Sequence, residues 1–111
     1  MYEMKNLARL SAVNRAAPEA MAAFETFADT ALADGALPRK LKELIAVAVA
    51  LTTQCPYCIE IHSKQARALG ASDAELAEMA MVAAAIRAGG AVTHAAHLFP
   101  AGERLTQAAA K

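Results

Sequence analysis

Apolar positions along this chain recur at intervals of three and four residues, and no stretch alternates long enough to suggest a strand. Pro18 stands where a helix can open, and Met21, Phe24, Phe27, Ala28, Ala31 and Leu32 form a 3.6-residue stripe behind it that stops near Gly35. Pro38 opens a second expected helix to about Thr52. Within it Leu44–Leu51 is apolar on all sides, as a buried segment is. Pro56 opens a third, with Cys55 at the cap and Gly70 at the end. Ser72 with Glu75 three residues on is a capping-box signature for a fourth helix, reaching Phe99 before Pro100 and Gly102 break it. Gly89-Gly90 interrupts this last pattern, as a kink or as a place where another helix packs on bare backbone. The tail from Glu103 to Lys111 is expected to be a short helix or to fray.

These elements describe an all-α bundle, and 111 residues make one domain spanning 1–111. The hydrophobic share of 57% exceeds the usual ~45–50%. Much of the excess is alanine, which favours helix but gives a thin core. A short chain with such a surplus is expected to bury it against copies of itself. Eleven basic residues balance eleven acidic ones, and Trp is absent. That excludes a basic field or a base-stacking platform, hence nucleic-acid binding. The longest unbroken apolar run, Leu44–Leu51, is far short of the ~18–20 residues needed to cross a bilayer. With no export signal at Met1–Leu10, no membrane association and a cytoplasmic location are expected.

The chemistry lies in Cys55-Pro-Tyr-Cys58 and His62, and these are the only two cysteines. In a reducing compartment a close pair is redox-active or metal-binding rather than a permanent staple. As a zinc site the pair lacks a second CxxC, and His62 would bring the ligands only to three. At about 100° per residue, positions 55, 58 and 62 fall within roughly 60° of one another near a helix start. Unpaired backbone N–H groups there stabilise a thiolate and favour Cys55, whereas His62, four residues beyond Cys58, favours Cys58. If residues 38–52 and 56–69 form an antiparallel pair, Glu43 lies about 15 Å back from the turn and His62 about 13 Å beyond it. The two side chains are then level. The carboxylate can orient the imidazole and pass a proton toward Cys58.

Glu43, eleven residues, Cys55-Pro-Tyr-Cys58, three residues and His62 together resemble the E-x11-C-x-x-C-x3-H signature of AhpD-like alkylhydroperoxidases, in the carboxymuconolactone decarboxylase superfamily. The likeness covers roughly residues 38–99. It implies an AhpD-like helical bundle assembled as a trimer or hexamer, with no cofactor beyond a redox-active Cys55–Cys58 disulfide. It also implies a thiol peroxidase cycle on a hydroperoxide or disulfide substrate. Cys58 would attack, Cys55 would resolve, and Glu43 and His62 would relay protons. A dithiol donor, a dihydrolipoyl group or thioredoxin-like protein, would restore the pair. The best-known members carry His immediately before the second cysteine where this chain has Tyr57, so the relay is one group shorter or uses the phenol.

Two other functions compete: a lyase of the same superfamily acting through His62 and an arginine, and a non-catalytic oligomeric binding protein with inert cysteines. His94 and His97, spaced i, i+3, are expected to line a cleft near the redox centre or pack at a subunit contact; no metal is assigned to them. Met21, Met79 and Met81 suit gap-filling in an alanine-rich core. Arg39, Lys40 and Lys42 read as a solvated helix start.

Overall fold

The structure is a computed structural model that describes residues 2–102; the tail from Glu103 to Lys111 lies outside the described residues. Its five helices are α1 (Leu10–Ala16), α2 (Pro18–Leu32), α3 (Arg39–Thr53), α4 (Pro56–Ala68) and α5 (Asp73–His94), with 3-10 turns at Met4–Arg9 and Ala95–Leu98. The all-α class is as expected, and no strand occurs among the described residues.

Proline and the caps set the boundaries. Ala17, before Pro18, leaves the helical region at φ −138°, ψ 63°, which separates α1 from α2. Pro38 is the N-cap of α3 rather than its first residue, and Asp34 Oδ1 accepts the Arg39 N–H at 2.6 Å. The capping box at Ser72 is complete: its hydroxyl accepts the Glu75 N–H at 3.1 Å and the Glu75 carboxylate accepts the Ser72 N–H at 2.9 Å. At the far end α5 stops at His94 and the Ala95–Leu98 turn carries the chain to Phe99, which the following Pro100 drives into extended backbone at φ −119°, ψ 142°.

Helices α3 and α4 run back along each other from a tight turn at Gln54. They meet again at Glu43 and His62, so they form the antiparallel pair expected from the spacing. Helix α5 packs on α3, and Lys40 of α3 reaches Glu75 at 3.0 Å. Nor are the neighbouring cations simply solvated: Arg39 lies 3.6 Å from Glu43, and Lys42 donates to the Ala33 carbonyl at 2.6 Å.

Three expectations about burial are corrected. The run Leu44–Leu51 is not buried on all sides: Val47 and Ala50 are, while Ile45 and Val49 are 44% and 54% exposed, because one chain covers only one face of α3. The α2 stripe is not core either, since Phe24 and Phe27 stand exposed, and so does Met81 on α5. Gly89-Gly90 does not end α5, which runs through to His94, and no other helix of this chain packs there, since a Cβ at either position would meet nothing within 4 Å. The molecule is drawn out, with a radius of gyration of 19.8 Å and extents of 61 × 36 × 33 Å. A chain of this length closed into a globule would have about 13 Å. Asp73–Leu98, α5 with the turn after it, is long and apolar enough to cross a membrane by length and composition. The expectation from unbroken runs had missed it, because Asp73, Glu75, Glu78 and Arg87 punctuate the stretch.

Candidate redox site

The site is assembled at the turn between α3 and α4. Gln54 takes the left-handed conformation, φ 58° and ψ 47°, and the Cys55 N–H then donates to the Ala50 carbonyl at 3.0 Å. This reverses the chain and leaves Cys55 as the N-cap of α4. Pro56 occupies the first helical position, where its missing N–H costs nothing. The Cys58 N–H donates to Cys55 Sγ at 3.4 Å, and the two sulfurs are 2.7 Å apart as free thiols.

The two sulfurs are electrostatically unlike. Cys55 is held below the ordinary cysteine value, first by the hydrogen bond from the Cys58 side chain and then by the backbone N–H groups of Cys58 and Tyr57. Cys58 is pushed up, first by its hydrogen bond with Cys55, then by burial and by the charge on Cys55. Of the two, Cys55 is therefore the thiol that ionises more readily.

One helix away, Glu43 is fully buried, and its Oε2 lies 2.6 Å from His62 Nδ1. With the carboxylate ionised, His62 Nδ1–H is the donor and Nε2 is the ring nitrogen left to exchange a proton. Glu43 Oε1 has no hydrogen-bond partner, and Arg39 Nε stands off at 3.6 Å. A buried carboxylate oxygen with only a distant cation is the kind of exception that accompanies function more often than stability.

Cys58 and His62 open onto a cavity of about 560 Å³, whose apolar wall includes Phe27 and Ala31 of α2 with Val49 and Ala50 of α3. The structure thus brings together Glu43, His62 and both cysteines. Tyr57 does not line the cavity: its phenol oxygen accepts from Asn6 Nδ2 at 3.3 Å and its ring meets Tyr2 edge-on. His94 and His97 lie elsewhere, exposed at the end of α5 with ring centroids 5.7 Å apart, and His94 Nδ1–H donates to the Gly90 carbonyl. No group of three or more His, Cys, Asp or Glu among the described residues is placed to hold a metal ion. Phe27 and Ala31 were visible in the sequence only as members of a presumed core stripe. Tyr2 and Asn6 gave no signal, since their partners are 58 and 51 residues away.

The comparisons with known proteins point one way. The chain is 47% identical over 91 residues to "Uncharacterized protein 4 in cox locus" of Paracoccus denitrificans, which covers 82% of each. It is 41% identical over 71 residues to an uncharacterized protein of Cupriavidus necator, or 64% of this chain and 63% of that one. Among solved structures it resembles an apo carboxymuconolactone decarboxylase family protein from Legionella pneumophila, with TM-score 0.70 and 38% identity over 83% of this chain and 82% of that one. A protein from Methanobacterium thermoautotrophicum superposes with TM-score 0.73 and 36% identity over 78% of this chain and 97% of that one. Residues 18–100, which hold α2 to α5 and every group of the site just described, match the carboxymuconolactone decarboxylase family, and this chain belongs to it.

Proposed function

We propose that the protein is a thiol-dependent peroxidase or disulfide oxidoreductase working through a Cys55–Cys58 dithiol–disulfide cycle. The observation that carries this reading is the pairing of two free sulfurs 2.7 Å apart with a buried Glu43–His62 couple, Cys58 and His62 sharing one cavity wall. In the first half-reaction the Cys58 thiol gives its proton to His62 Nε2, and its sulfur attacks the terminal oxygen of a hydroperoxide ROOH. The O–O bond breaks, RO⁻ takes a proton from His62 and leaves as ROH, and Cys58 becomes a sulfenic acid. The Cys55 thiolate then attacks the Cys58 sulfur. The S–O bond breaks, hydroxide leaves as water with a second proton that His62 takes up from solvent, and the disulfide closes. A dithiol such as a dihydrolipoyl group or a thioredoxin-like protein returns two electrons and two protons.

The lowered Cys55 suits its part as resolving thiolate. Position supports Cys58 as the first nucleophile, for it lines the cavity together with His62 and Cys55 does not. Against the lyase reading stands Arg39, the arginine that flanks the couple, which is turned to Glu43 rather than offered to a substrate carboxylate.

The test uses the two serine variants, each reduced and given one equivalent of cumene hydroperoxide. Cys55→Ser is expected to accumulate a sulfenic acid at Cys58 that dimedone traps, and Cys58→Ser to form none. Trapping at Cys55 instead would exchange the two roles. Absence of sulfenic acid in both variants, with wild-type protein consuming neither hydroperoxide nor a disulfide, would reject the assignment.

A further inference from the structure

The segment before α1 takes no part in the chemistry above, yet its side chains converge on the residue between the two cysteines. Asn6 Nδ2 donates to Tyr57 Oη at 3.3 Å. The Tyr2 ring stands edge-on to Tyr57, with centroids 4.9 Å apart and planes at 72°. Tyr2 Oη donates to Glu60 Oε2 at 2.9 Å, three residues farther along α4. Burial, and after it the bond to Glu60, raise the Tyr2 phenol above its ordinary value and keep it a donor. Two residues from the far end of the chain thus clasp the first turn of α4.

That turn governs the sulfurs. Cys55, Pro56, Tyr57 and Cys58 follow one another through it, and the Cys58 N–H is the backbone donor that reaches the Cys55 sulfur, at 3.4 Å. Helix starts fray, because their first N–H groups have no partner within the helix, and here Pro56 supplies none. Ties across the turn from outside oppose that opening.

We infer that the N-terminal segment is a latch in which Tyr2 and Asn6, as positioning residues, grip Tyr57 and Glu60 and hold the Cys55–Cys58 turn with the Cys58 N–H on the Cys55 sulfur. The inference concerns the thiols alone and needs no particular substrate. The ionisable groups around the turn are Cys58, Tyr57 and Glu60 on α4, Tyr2 on the N-terminal segment, and the His62–Glu43 couple with Arg39 on α3.

The experiment follows alkylation of the reduced full-length protein by iodoacetamide across pH, with each thiol identified by peptide mass. Wild type is compared with Tyr2→Phe, Asn6→Ala and the Tyr2→Ala/Asn6→Ala double variant. Loss of the latch is expected to move the Cys55 midpoint upward and slow its neutral-pH alkylation roughly three- to tenfold in the double variant, with the alkaline plateau unchanged. Tyr2→Phe, which keeps the ring and loses one hydroxyl, should fall between and guards against a misfolded double variant. A higher plateau with an unmoved midpoint would show that the segment only shields the sulfurs, and would overturn the inference. So would an unmoved profile with a lowered melting temperature, the mark of ordinary packing. Wild-type protein inactive on every peroxide leaves this readout intact, so the latch and the proposed reaction fail separately.

Discussion

Glu43 is the one charged side chain that the described fold buries completely, and it makes its short bond to the ring of His62. Burying a carboxylate opposes folding unless the surroundings compensate it, and Arg39 at 3.6 Å does so from one side only. Glu43→Gln keeps the shape and removes the charge that fixes the His62 tautomer. Turnover of hydroperoxide is expected to fall about 10- to 100-fold, the usual loss when the partner of a working histidine is removed. Iodoacetamide labelling of Cys55 should change far less, because its thiolate is sustained by Cys58 and the α4 backbone. Equal losses in both assays would mean that Glu43 supports the whole turn rather than the histidine. The pH dependence has a definite sign. Cys55 is lowered, so its thiolate forms at lower pH than that of an ordinary cysteine and is lost as pH falls through that lowered value; Cys58 is raised and stays a thiol until pH climbs past the ordinary range. In a labelling titration of wild type, Cys55 should react first, and a Cys58-first order would contradict the geometry. At this scale the sequence was readable wherever chemistry fixes spacing: Glu43, Cys55, Cys58 and His62 meet as their intervals imply. Which way the Tyr57 phenol turns was not readable, because its orientation depends on Tyr2 and Asn6, residues no local pattern ties to it.

Among elements, the turn that carries the site is also the most strained piece of backbone. Gln54 is the single non-glycine residue with positive φ among those described, at 58°, and it stands directly before Cys55. An L-residue in this region gives up ~1–2 kcal/mol, and glycine avoids the clash while adding freedom to the unfolded chain. Gln54→Gly is therefore expected to stabilise the reduced protein by roughly 1 kcal/mol or somewhat less, a rise of a few degrees in melting temperature by calorimetry. A lower melting temperature would show that the Gln54 side chain contributes more than the strain costs. The turn between the helices at 38–52 and 56–69 was legible, but its left-handed residue was not, since no glycine or asparagine marks it. The helices opened by Pro18 and Pro56 and the Ser72 capping box were visible, because proline and capping side chains act locally. The Met4–Arg9 turn and α1 went unread: their apolar residues are scattered, and none of them is buried.

For the whole molecule the governing fact is how little one chain covers. Among the described residues the buried apolar side chains are Val47, Ala50, Ala66, Ala71 and Ala83, while Phe27, Ile86 and Val92 are 69%, 72% and 74% exposed. At ~25 cal/mol per Å² of apolar surface, five small residues cannot offset the entropy of ordering a chain this long. An association would add to that burial. The exposed side chains share faces: Leu41, Ile45 and Val49 form a row along α3, and Val49, Val82 and Ile86 flank an apolar groove between α3 and α5. Copies of the same chain supply matching apolar helices, including the α2 that here leaves Phe24 and Phe27 uncovered. A bilayer would also cover α5, whose length and composition permit it. Ile86→Glu separates these outcomes. It places a carboxylate in the groove about 1.5 Å per residue along the helix from Arg87, whose guanidinium already donates to the Thr52 carbonyl. In detergent-free buffer, light scattering coupled to gel filtration is expected to find wild type as a discrete homo-oligomer, and Ile86→Glu as a smaller, less stable species. A wild-type monomer with a cooperative melt would refute self-association, and recovery of wild type only with lipid or detergent would assign the apolar face to a membrane.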